Sequence, residues 1–466
     1  MRRAETRSLR GLVVLALVSS VLGGCAPTAG QAAPAESAAP SGRVPTPDPS
    51  VAARPTVVAG GGPASPSPGV EPGGTGLTPT AQRVAALQAA VAADPTNGDA
   101  LLELGLALVQ RVRETADPSM YGRAQEAFDR ARGLRPDDPL PRVGLATLAL
   151  ARHEFADALK LGREALALGP GLPTAQGVVV DALVELGRYE EAETAVQAMV
   201  DFRPDLASYA RVSYVRELYG DLPGALDAMR RAVLAGGPAS ENNAYVIVLY
   251  GNLAVLSGQP DEAAGAYDAA LQAYPDYPAA LAGQGRLAVA EGDLVTARAR
   301  FERAADIVPL PEYVIALGEA REASGDVAGA AESYALARAE TALFQANGVV
   351  VDLELALLEA DHGDPRAALD LAKAAYADRP TVRAADALAW ALLKNGRIAE
   401  ARKRSAEAVR LGSRDPLLLY HAGAIAAAAG DPQGAIRDLR AAVRLDPGFS
   451  PTGGQAARAL LESLDR

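Results

Sequence analysis

Residues 292–309 read GDLVTARARFERAADIVP, and the order of residue types in this stretch decides the fold. Gly292 and Asp293 open it, Ala297 and Ala304 stand seven residues apart, Phe301 lies between them, and Pro309 closes it. Seven residues is two turns of an α-helix, so both alanines fall on one face. Gly292 can take the left-handed conformation that ends a preceding helix, and Asp293 is suited to the first turn or cap of the next. Pro309 lacks the N–H donor that a continuing helix needs. The stretch therefore predicts a turn, one helix and a stop.

The same order recurs along the chain. Ala124, Ala158, Ala192, Ala225, Ala263, Ala297, Ala330, Ala368, Ala401 and Ala435 follow one another at 33, 34 or 38 residues. Seven positions after each stands Ala131, Ala165, Met199, Ala232, Ala270, Ala304, Ala337, Ala375, Ala408 or Ala442. Five positions before stand Gly187, Gly220, Gly258, Gly292, Gly325, Gly363, Gly396 and Gly430, with Asp221, Asp293, Asp326, Asp364 and Asp431 directly after five of them. Ahead of each turn runs a second apolar-periodic segment with a small residue inside it, such as Gly105, Ala146, Ser213, Gly251, Gly285 or Gly318; Val180 is the exception. The unit is helix, tight turn, helix, linker, and neither helix is long enough to be stable without packing. The small residues let the two helices approach closely, and Gly283-Gln284-Gly285 is read as close packing within a helix.

This unit resembles the tetratricopeptide repeat. Phe128, Tyr267, Phe301 and Tyr334 carry the family's large residue between the two alanines, whereas Gly162, Ala372 and Ser405 do not and predict looser packing there. The resemblance covers residues 98–449 and implies an all-α, right-handed α-solenoid of about ten helix-turn-helix repeats within 78–466. Capping helices are expected at 80–93 and 455–464. Extra residues fall near Arg111–Met120, Gly237–Asn243 and Thr341–Gly348, and read as loop drift at repeat edges. The apolar run Ala244–Leu256, interrupted by Asn252, reads as the first helix of its repeat.

The N-terminus has a different character. Arg2, Arg3, Arg7 and Arg10 precede an apolar stretch from Gly11 to Leu22. As a helix it would reach about 18 Å, short of the ~30 Å hydrocarbon core of a bilayer, so residues 1–24 read as an export signal. Leu22-Gly23-Gly24-Cys25 resembles the lipobox of bacterial lipoproteins, which implies lipidation at Cys25, the chain's single cysteine. Residues 25–77 are rich in Pro, Ala, Ser and Gly and read as a disordered spacer reaching ~40 Å as a flexible coil. The expected location is extracytoplasmic, lipid-anchored to a bacterial membrane, either the cell or the outer membrane.

Composition bounds the function. A net charge of −12 argues against sequence-independent nucleic-acid binding. Aromatic residues make up 5% of the chain against 49% hydrophobic residues overall, which suits thin, closely packed helices. The three histidines, His153, His362 and His421, fall in the second, eighth and tenth repeats, too far apart in a solenoid to share one ion. Neither a phosphate-binding loop nor a dinucleotide fingerprint occurs. No enzyme activity, metal or cofactor is expected.

The family resemblance implies that the first helix of each repeat lines a concave groove that takes peptides or partner helices. The groove-facing positions include Asp181, Arg211, Tyr214, Tyr245, Asn252, Arg286, Glu319, Asp386, Trp390 and Tyr420. Fixed donors and acceptors with aromatic platforms suit peptide recognition. Relatives that clamp a C-terminal carboxylate use lysine and asparagine where this chain has Gly177, Asp181 and Arg211, so that mode is not expected. The leading expectation is an envelope-anchored scaffold for protein partners, an assembly factor for an envelope complex among the roles it suits. The rival is an extracytoplasmic protein that binds a glycan or another small ligand in the groove.

Overall fold

The computed structural model describes residues 78–237 and 241–465. The expected signal, Cys25 and the 25–77 spacer lie outside the described residues. Within them are 22 α-helices and no strand. Helix α1 (Pro79–Ala93) precedes ten pairs. The first five are α2 and α3 (Gly98–Thr115, Met120–Leu134), α4 and α5 (Leu140–Ala151, Phe155–Leu168), α6 and α7 (Pro173–Glu185, Tyr189–Phe202), α8 and α9 (Leu206–Leu218, Leu222–Ala235), and α10 and α11 (Glu241–Leu256, Pro260–Ala273). The next three are α12 and α13 (Pro278–Glu291, Leu294–Ile307), α14 and α15 (Pro311–Ala323, Val327–Ala346), and α16 and α17 (Asp352–His362, Pro365–Asp378). The last two are α18 and α19 (Val382–Lys394, Ile398–Ala408) and α20 and α21 (Pro416–Ala428, Pro432–Leu445), before the terminal α22 (Gly453–Leu464). Each helix packs on the next in chain order, which makes an all-α solenoid.

The alanine rhythm is the packing seam. Nine of the ten leading alanines are fully buried and Ala330 is 2% exposed. Opposite them, glycines make room for rings. A Cβ on Gly283 would lie 2.5 Å from the Tyr267 ring, and one on Gly285 would lie 2.7 Å from the Phe301 ring. Close contact of this kind stabilises through dispersion and excludes larger side chains. The positions expected to pack loosely are filled from elsewhere: Val178 and Val179 close over Gly162, and Ala372 sits in a core with Leu369 and Leu388.

All five turn aspartates cap their helices, each side chain accepting a hydrogen bond from a backbone N–H two or three residues on. Seven of the eight turn glycines hold φ between 71° and 88°. Gly363 departs from the expectation: its φ is −147°, and what it supplies is room, because a Cβ there would run into the Glu359 carboxylate that accepts from the Asp364 amide. In the first two repeats Ala116 and His153 take the left-handed conformation in place of glycine.

The described extra residues belong to helices or hold contacts between repeats, which corrects their reading as drift. The first set lengthens α2, and the second leads into α10; Arg113 of α2 pairs with Glu241 of α10 at 2.6 Å. The third set lengthens α15, and just past it the Val350 N–H donates to the Arg152 carbonyl at 2.9 Å. The insertions thus join repeats far apart in sequence.

Candidate functional site

The ten residues expected along the groove lie on the first helices of their pairs, and most are engaged with other protein groups. Asp181 on α6 and Arg211 on α8 form a two-pronged ion pair, Nε to Oδ1 at 2.8 Å and Nη2 to Oδ2 at 2.6 Å. They are 3% and 7% exposed. Burial pushes the Asp181 carboxyl up, and the Arg211 guanidinium pulls it back. Asn252 on α10 accepts from the Tyr267 hydroxyl at 2.8 Å and from Arg286 of α12.

Farther along, Glu319 on α14 meets His362 Nε2 at 3.1 Å and accepts from the Ser450 hydroxyl at 2.7 Å. The His362 ring stacks on Tyr334 with centroids 3.9 Å apart. Asp386 on α18 meets His421 Nδ1 at 2.8 Å, and His421 stacks on Trp390 at 3.9 Å. The Trp390 indole donates to Asp361 at 2.8 Å, and Lys394 pairs with that same carboxylate. Tyr420 packs against Trp390 and Phe449.

Asp181, Arg211, Glu319, Asp386, Trp390 and Tyr420 are therefore buried, with polar contacts inside the protein or, for Tyr420, packed rings; Tyr214, Tyr245, Asn252 and Arg286 remain half-buried. A groove-facing position on a single repeat does not reveal that another stretch of chain covers it. Between distant repeats, the Tyr189 hydroxyl accepts from the Val382 amide at 3.0 Å, and His153 Nδ1 approaches the Val350 carbonyl at 2.8 Å.

Sequence reasoning missed His362, His421, Asp361 and Ser450 as members of these clusters. A charged residue about one repeat from an opposite or hydrogen-bonding group, as in Asp181–Arg211 and Asp386–His421, was the available signal. Among the described residues no group of His, Asp and Glu is placed to hold a metal ion, and no helix is long and apolar enough to cross a membrane.

The exposed apolar residues are elsewhere. Leu134, Leu168 and Phe202 end α3, α5 and α7, and are 44%, 43% and 56% exposed. They occupy equivalent positions in three consecutive repeats. Phe202 lies over Gly171, where a Cβ would sit 3.0 Å from its ring.

Comparison with known proteins agrees with this architecture. One tetratricopeptide repeat model matches residues 149–213, and a second matches 120–173, 251–310, 353–416 and 387–448. Together they cover more than half of the chain. Cellulose synthase operon protein C of Pseudomonas fluorescens (strain SBW25) is 26% identical over 182 residues, which is 36% of this chain, and the chain spans only 14% of that relative's length. Similar solved structures include a thermophilic tetratricopeptide protein of Thermus thermophilus, at 23% identity and TM-score 0.36, covering 41% of this chain and 97% of that one. The human IFIT1 dimer with PPP-AAAA is similar at 15% identity and TM-score 0.44, covering 68% and 73%. On the repeat models and the helix pairs together, the chain belongs to the tetratricopeptide repeat family.

Proposed function

We propose that the chain is a lipid-anchored scaffold of the bacterial cell envelope, held to a membrane through Cys25 and gathering envelope proteins along its repeats, as an assembly factor for an envelope complex does. Tetratricopeptide repeats are protein-interaction modules, and the observation that carries the reading is the row Leu134, Leu168 and Phe202. An exposed apolar row in register over three repeats is the kind of surface that partners cover. Of the expected groove residues, Tyr214, Tyr245, Asn252 and Arg286 keep surface through which a partner can touch the inner face. The arginine-headed leader, the Leu22–Cys25 motif and the Pro/Ala/Ser/Gly-rich segment support the anchor. More than one acyl chain at Cys25 would hold the protein stably, since each buried CH₂ adds ~0.8 kcal/mol.

The test is affinity capture from detergent-solubilised envelopes. It compares the wild type with Leu168→Asp plus Phe202→Asp, and with Tyr214→Ala plus Arg286→Ala. The first double variant should lose partners that the wild type retains. Identical partner lists from all three proteins would remove the interaction surface proposed here. The anchor is tested separately: Cys25→Ala should leave the membrane pellet after a salt wash, and a variant that still sediments argues against lipidation.

A further inference from the structure

The two helices of a repeat run antiparallel, so the turns inside repeats line one edge of the solenoid and the linkers between repeats line the other. Within the chain these two edges meet. The linker between α17 and α18 lies on the turn of the third repeat, where a Cβ on Gly187 would sit 3.2 Å from the Pro380 carbonyl oxygen. The linker between α19 and α20 lies on the turn of the fourth, where a Cβ on Gly220 would run into the Gly412 carbonyl. Arg379 and Arg410 of these linkers sit over the Phe155 and Tyr189 rings, 4.7 and 5.2 Å from their centroids.

This covering of the turn edge stops at the fourth repeat. Three residues before the leading alanine, at the start of the second helix, stand Tyr121, Phe155, Tyr189 and Leu222 in the first four repeats, and all are buried. At the same position in the sixth, seventh and ninth repeats, Leu294 and Ile398 are half-buried and Val327 is 71% exposed. Val295, next to Leu294, is 83% exposed. A Cβ on Gly292, Gly325 or Gly396 of these turns would meet nothing within 4 Å.

The linker edge shows the reverse. Ten residues after the leading alanine, Leu445 of the last repeat is buried in a core with Tyr267 and Tyr277, and Leu411 of the ninth packs against the core that holds Tyr189. In the first three repeats that position holds Leu134, Leu168 and Phe202, the exposed row. Leucine at one repeat position is thus covered where an earlier winding of the superhelix lies against it, and bare among the described residues where none does.

We infer, on the reading of this row as an interaction surface, that its occupant is a second copy of this chain. The linker edge of the first three repeats in one molecule docks on the uncovered turn edge of the sixth to ninth repeats in the next. The contact repeats between molecules the one that the chain makes within itself, and every copy carries both matching edges. Burial of the apolar row drives it. The two edges differ, so the contact is heterologous, and each pair keeps one free edge of each kind for further growth.

Sedimentation velocity on the full chain in detergent, up to about 100 μM, tests this with a linker-edge variant, Leu168→Asp plus Phe202→Asp, and a turn-edge variant, Val295→Asp plus Val327→Asp. The wild type should grow with concentration past the dimer, and each variant alone should stay monomeric. An equimolar mixture of the two variants should form a dimer and nothing larger, since each keeps the edge that the other has lost. That recovery also shows that both variants are folded. A wild type that stays monomeric overturns the inference, as does a turn-edge variant that associates like the wild type. Capture of envelope proteins through Leu168 and Phe202 by a monomeric chain would keep the scaffold reading and reject the second copy; a chain that associates with itself and captures nothing else would do the opposite.

Discussion

The seam between helices and the inner face of the solenoid are both buried, yet they are built on opposite principles. At the seam, alanines and glycines repeat at near-constant intervals, and Gly283 and Gly285 meet the Tyr267 and Phe301 rings of the adjacent or same repeat. On the inner face, Asp181–Arg211, Glu319–His362–Ser450 and Asp386–His421–Trp390 are unlike one another, and some of their contacts cross much of the chain. Packing at the seam is generic and specifies the stack. Polar pairing on the inner face is particular and specifies which repeats meet.

That difference predicts unequal responses to substitution. The largest effect belongs to Arg211→Ala, which leaves the buried Asp181 carboxylate without its counter-charge and should cost about 3–5 kcal/mol in denaturant unfolding. Replacing both members together with apolar residues of similar size should recover much of that loss; a double variant as unstable as the single would show that shape and not charge sets the cost. At the seam, Ala297→Leu should cost about 1–3 kcal/mol by overpacking, and an unchanged unfolding midpoint would mean that the face can open.

A carboxylate at the start of α14 also confers a pH dependence that the seam lacks. Burial raises Glu312 from 4.5 to about 7, so between these values the folded chain holds a proton that the unfolded chain has released. Its contribution is full below pH 4.5 and is lost as pH rises through 7. Glu312→Gln should therefore narrow the stability difference between pH 5 and pH 8, by on the order of 1–2 kcal/mol after allowance for partial exposure. A smaller effect belongs to the turns: Asp326→Ala removes the cap on the Gly329 amide and should cost about 1 kcal/mol, read from the same unfolding curves.

How far each region was legible follows from the distance to its contacts. Ala297, Ala304, Phe301 and Asp293 state their roles locally, because the residues they touch lie in the same repeat or an adjacent one. The expectation for the groove placed the ten side chains on the correct helices but not the contacts that bury six of them. Asp181 and Arg211 stand 30 residues apart and Asp386 and His421 35, close enough to one repeat for charge pairing to be read from register. Ser450 lies 131 residues from Glu319, and Tyr189 lies 193 from Val382. Such contacts depend on how far the superhelix advances per turn, a small rotation accumulated over many repeats that no single repeat encodes. The insertions were misread for the same reason: Arg113 and Glu241 have meaning only once both are seen to face each other.

Amide hydrogen exchange at Val350 and Val382 tests the contact between turns most directly. Val350 lies between helices, and Val382 begins α18, where an N–H has no acceptor within its own helix. With the turns touching as described, the Arg152 carbonyl and the Tyr189 hydroxyl hold these two N–H groups, and both should exchange orders of magnitude more slowly than the unstructured chain. Exchange of both at the unprotected rate, with the helix interiors still protected, would mean that the turns do not meet and that the inner face stands open.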